Sequence, residues 1–115
     1  MNFPRLVFVI AAGLEPNAAT NHELILTNYL MTQFPGHIFL ARSTFIMTEL
    51  FHPRDNMEWA NVYRNLVHVA DAVYGAGPEE DVSVHPLISF AYDIACPVLT
   101  NEWDLALFFA SADAE

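Results

Sequence analysis

Residues 6–41 read LVFVIAAGLEPNAATNHELILTNYLMTQFPGHIFLA, and the fold class follows from this stretch. Leu6 to Ile10 is a continuous apolar, β-branched run, the signature of a strand buried on both faces of a parallel sheet. It ends in Ala11-Ala12-Gly13, small residues that let backbone approach something closely. After the polar turn EPNAAT, Thr20 and Glu23 have capping-box spacing, which predicts a helix from about Asn21 to Gln33. Pro35-Gly36 stops that helix, and His37 to Leu40 reads as a second strand. A strand–helix–strand opening of this kind implies a parallel pair joined by a right-handed crossover.

The same alternation continues to the end of the chain. Residues 41–51 fit either a short strand or one turn of helix, and His52-Pro53 breaks them. Asp55, with Glu58 three residues on, caps a further helix whose apolar stripe is Trp59, Val62, Tyr63, Leu66 and Val69 or Ala70. Asn61, Arg64, Asn65 and His68 fall at i, i+3, i+4 and i+7, so they share one polar face. Ala72 to Tyr74 is a third strand, leading into Gly75-Ala76-Gly77-Pro78 and an acidic loop, EED, at 79–81. Pro86 opens a helix with Leu87, Phe90, Ala91 and Ile94 on its inner side. Pro97-Val98-Leu99 gives a fourth strand and Asn101 to about Ala110 a last helix, with the tail SADAE fraying. The expected fold is one α/β domain over residues 1–115: three layers, with a small parallel sheet of four to five strands and flanking helices, flavodoxin- or Rossmann-like.

Composition narrows the function. The chain has 115 residues, 54% hydrophobic and 16% charged, which excludes disorder. Fourteen acids face four arginines and no lysine, for a formal charge of -10. That balance argues against direct nucleic-acid binding and against an anionic membrane surface, and no apolar run is long enough to span a bilayer. Cys96 stands alone in an apolar run and reads as a packing residue in an intracellular, cytoplasmic protein. The five histidines, His22, His37, His52, His68 and His85, show no metal-ligand spacing, so no metal is expected. Neither GxGxxG, a Walker loop nor GxSxG occurs, and no cofactor is implied.

In an open α/β sheet, ligands bind beyond the carboxyl ends of the strands. Three loops qualify: 11–14, 75–83 and 100–103. The segment EWANVYRNLVHVADAVYGAG at 58–77, followed by FAYDIACPVL at 90–99, resembles the nucleoside 2-deoxyribosyltransferase-like superfamily. The opening FVIAAG is similar to that family's first strand and its Ala-Gly-Pro loop, so the likeness runs from about Leu6 to Leu99. It implies an α/β scaffold with a nucleoside or nucleotide pocket lined by Arg64, Asn65, Asp81 and the backbone of Gly13 and Gly77. Asp81 would accept from sugar hydroxyls.

The chain departs from the family pattern at two positions. Asn65 stands where the family has an aspartate that holds the sugar. Leu87 stands where the family has the glutamate that attacks the anomeric carbon, and no acid lies from Val82 to Tyr92. Losing such a nucleophile costs on the order of a millionfold in turnover. The expectation is therefore a nucleoside- or nucleotide-binding protein with no catalytic residue, self-associating through an apolar patch of Trp103, Phe108 and Phe109. Two alternatives stand beside it. One is an acidic protein that mimics nucleic acid and blocks a basic protein partner; the other is a divergent N-glycosidase using Asp81 or Asp93.

Overall fold

A computed structural model describes residues 4–42 and 56–113. The ambiguous segment after Arg42 and the proposed Asp55 cap lie outside these residues, as does the Trp59 side chain. Four strands, β1 (Leu6–Ala11), β2 (Ile38–Ala41), β3 (Ala72–Ala76) and β4 (Val98–Leu99), form one sheet in the order β2-β1-β3-β4. All three pairings are parallel. Helices α1 (Pro16–Gln33) and α5 (Glu102–Asp113) cover one face. Helices α2 (Asn56–Val69), α3 (Glu79–Val84) and α4 (Pro86–Asp93) cover the other. The expected three-layer α/β fold is present, with four strands among the described residues.

The period-two alternation of β1 builds both layers of core at once. Phe8 and Ile10 pack with Val73, Val67, Leu87, Ile88 and Ala91. Val7 and Val9 pack with Ala72, Tyr74, Leu30, Leu105 and Phe109 on the opposite side. Side chains close the amino edge of the sheet. The Leu6 amide donates to Asp71 Oδ2 at 2.7 Å, and the Arg5 amide donates to His37 Nδ1 at 3.1 Å.

Several local expectations are revised. Helix α1 starts at Pro16 rather than Asn21, because proline at N1 already has the φ that a helix needs. Thr20 therefore sits inside the helix, its hydroxyl bonded to the Asn17 carbonyl, and Glu23 is not part of a capping box. The acidic loop at 79–81 is instead the first turn of α3, where three carboxylates complement the helix dipole and Val82 anchors the turn in the core. On α2 the inner stripe takes in Val67, fully buried, while Val69 is 65% exposed. Helix α5 runs on to Asp113, past the expected end at Ala110. Phe109 is buried and stacks 3.9 Å from the His37 ring, so it belongs to the core and not to a surface patch.

Leu87, aligned with a catalytic glutamate by resemblance, is 8% exposed and packed in the core between α4 and the sheet. Leu87→Glu is therefore expected to destabilise by at least about 3 kcal/mol, since a carboxylate there would have no partner. A urea denaturation midpoint close to wild type would show that this position opens onto water.

Candidate functional site

The chain leaves β1 toward β2 and leaves β3 toward β4, so the connections diverge at the carboxyl ends of the two central strands. Three of the residues singled out in the sequence meet there. Gly13 has φ +79°, and its Cα lies against the Asp81 carboxylate; a Cβ in its place would fall 2.6 Å from Oδ2. Gly77 has φ +125°, and a Cβ there would fall 2.7 Å from the Ala12 carbonyl oxygen. Both positions need glycine twice over, for backbone conformation and for space. The Ala12 amide donates to the Ala76 carbonyl at 2.8 Å, holding the two loops together.

A half-open cavity of about 470 Å³ begins at Gly77 and runs along β4. Glu79, Ser83, Tyr92 and Thr100 line it with Val82 and Val98. It offers a carboxylate, three hydroxyls and an aromatic ring, with no arginine among its lining residues. Such a set accepts and donates to hydroxyls and stacks on a ring; it has no cation with which to hold a phosphate.

Arg64 and Asn65 are not brought to this crevice. Both are exposed on α2, and the Arg64 guanidinium lies 6.0 Å from the Phe90 ring centroid. Phe90 and Tyr92 are about 200° apart around α4. Arg64 and the cavity therefore occupy opposite sides of that helix.

The sequence reading missed a polar cluster at the carboxyl ends of β1 and β2. Glu23 is fully buried, yet its carboxylate is well supplied with donors. It accepts from the Ala11 amide at 2.8 Å, from Arg42 Nε at 3.0 Å and from Arg42 Nη2 at 2.6 Å. The Arg42 guanidinium lies 5.8 Å from the Tyr63 ring centroid. Nearby, His85 caps α4: its Nδ1 accepts from the Leu87 amide at 3.2 Å, which places the ring proton of the neutral form on Nε2. Burial, and after it the Arg42 charge, lowers the His85 pKa. The one available signal was an acid at a core-facing position: Ala19, Glu23, Leu26, Thr27 and Leu30 fall on one stripe of α1. Among the described residues no group of three His, Cys, Asp or Glu side chains is placed to hold a metal ion, and no helix is long and apolar enough to cross a membrane. Comparison of the chain with protein-family models, curated proteins and solved structures finds no match.

Two outcomes test this geometry. Glu23→Gln should cost about 3 kcal/mol, the low end for breaking a buried ion pair, because Arg42 keeps some contact with water. A loss under about 1 kcal/mol in urea denaturation would make the pair peripheral. The second concerns pH. With its folded pKa depressed, His85 stays neutral in the native state while the unfolded chain takes up a proton first. Its contribution is complete above about pH 6.5 and is lost as pH falls from there toward the folded pKa. His85→Asn keeps an N-cap acceptor and removes the titration. Its melting temperature should thus fall less than that of wild type between neutral pH and pH ~5; equal falls would separate His85 from the acid sensitivity.

Proposed function

We propose that this protein binds a nucleoside-like small molecule in the crevice at the carboxyl ends of β1 and β3, without glycosyl transfer. The observation that carries the reading is the meeting of Gly13, Gly77 and Asp81 beside a cavity lined by hydroxyls, a carboxylate and the Tyr92 ring. Gly13 and Gly77 let the two loops and Asp81 close on one another, Asp81 and Glu79 accept from sugar hydroxyls, and Tyr92 offers a face for a base. The resemblance of residues 58–77 and 90–99 to nucleoside 2-deoxyribosyltransferases points the same way. The lining carries an acid and no base, so the uncharged nucleoside is favoured over its phosphates. The reading without transfer rests on Leu87, which by resemblance stands at the family's nucleophile position: an alkyl side chain cannot attack an anomeric carbon, and this one is in the core. Asp81 is the acid nearest the crevice glycines, whereas Asp93 ends α4 and is exposed. A live N-glycosidase would therefore work through Asp81 or through Glu79, which lines the cavity.

The test is a thermal-shift screen against nucleosides, nucleotides and cyclic dinucleotides, with product analysis on each hit. A ligand at a hundred times its dissociation constant should stabilise by ~2.7 kcal/mol, a shift of several degrees. Asp81→Asn should reduce that shift, and Arg64→Ala should leave it unchanged because Arg64 lies beyond α4. Base release would end the binding-only reading, and its loss in Asp81→Asn or in Glu79→Gln would say which acid is used. A panel without any hit would overturn the nucleoside reading altogether.

A further inference from the structure

The outer side of α1 has a composition that an ordinary solvent-facing helix lacks. Over its 18 residues the only Asp, Glu, Lys or Arg is Glu23, and Glu23 is buried. A water-facing helix side usually carries charge; here Ile25 is 68% exposed and Tyr29, one turn on, 46%. Helix α5 lies over the same face of the sheet with Trp103 72% exposed and Leu107, one turn later, 52%. The two helices are tied at this surface. The Glu102 carboxylate beside the Tyr29 hydroxyl raises the tyrosine pKa. Leu26, Leu30 and Phe34 of α1 share one core cluster with Leu105 and Phe109 of α5, so the two helices lie side by side and their outer sides adjoin. Ile25, Tyr29, Trp103 and Leu107 present on the order of 500 Å² of apolar surface, at the upper end for the largest patch on a monomer.

The charge of the chain selects the occupant. At a formal -10, two copies repel through almost any pair of surfaces. They approach with least penalty through the side poorest in charge, the outer side of α1, with Glu102 of α5 at its margin beside Tyr29, and a two-fold axis presents the same face twice. A basic partner would instead be drawn to surfaces with carboxylates, such as Glu79 and Glu80 on α3, and would gain nothing from the charge-free side of α1. With its uncharged surroundings, Asn21 and Asn28 included, the patch approaches the ~800 Å² that each partner contributes to a standard interface. We propose that the chain forms a two-fold dimer with a second copy of itself through the outer faces of α1 and α5, centred on Ile25, Tyr29, Trp103 and Leu107. This inference is independent of the ligand reading.

Sedimentation equilibrium over two decades of concentration, at low and high salt, tests it. The expected result is a monomer–dimer equilibrium that tightens as salt rises, because screening removes repulsion between two acidic bodies. Ile25→Glu combined with Trp103→Glu should give a monomer at every concentration with an unchanged circular dichroism spectrum. Each single substitution should weaken association at least ~10-fold, which keeps the test alive should the double variant misfold. Val84→Glu, at an exposed position on α3, should leave the dimer as in wild type. The proposal is overturned by a wild-type monomer throughout, by a dimer insensitive to both single substitutions, or by an association that salt weakens.

Discussion

The rest of the carboxyl edge depends on one buried carboxylate. Glu23 rises from α1 into the space between helix and sheet and gathers the last amide of β1 and the arginine that follows β2. Alone, its charge in the core would be prohibitive; the pair is tolerable because the carboxylate accepts from a backbone amide and from two guanidinium nitrogens. The arrangement locks three elements to one another at a single point. Arg42, held there, lies beside the Tyr63 ring of α2 and lowers the pKa of the histidine that caps α4. A change at residue 23 therefore bears on α1 and on the carboxyl ends of β1 and β2 together.

How much of this was legible in the sequence differs by level. The strands were legible because buried parallel strands are written as short apolar runs, and Leu6 to Ile10 has no competing reading. The start of α1 was not, because Thr20 and Glu23 match a capping signal that is local in sequence, whereas the use made of Glu23 depends on Ala11 and Arg42, 12 and 19 residues away. The helix at 79–84 was missed for a related reason. Three successive acids read as a solvated loop until one sees that Pro78 and a buried Val82 turn them into the first turn of a helix.

The candidate site divides in the same way. Gly13, Gly77 and Asp81 could be grouped because strand ends in a parallel sheet face one direction, so loops after β1 and β3 must meet. Arg64 and Asn65 were grouped with them by resemblance, and the position of α4 between them and the cavity is a packing fact that no motif states. Phe109 and Trp103 make the complementary case. Six residues apart on α5, they point about 120° apart around the helix, one into the core and one into water.

The contact between Gly77 and the Ala12 carbonyl also bears on how such a pocket changes over time. No side chain stands between the two loops, so neither wall can be remodelled alone: a residue larger than glycine on one side must displace backbone on the other. Ligand preference at this end of the crevice is thus a joint property of two segments some 65 residues apart in the chain, and drift in either is constrained by its neighbour. The β4 side of the cavity has no such coupling. Variation in what the pocket accepts has more room there, at the exposed Tyr92 and Thr100, while the glycine end stays fixed.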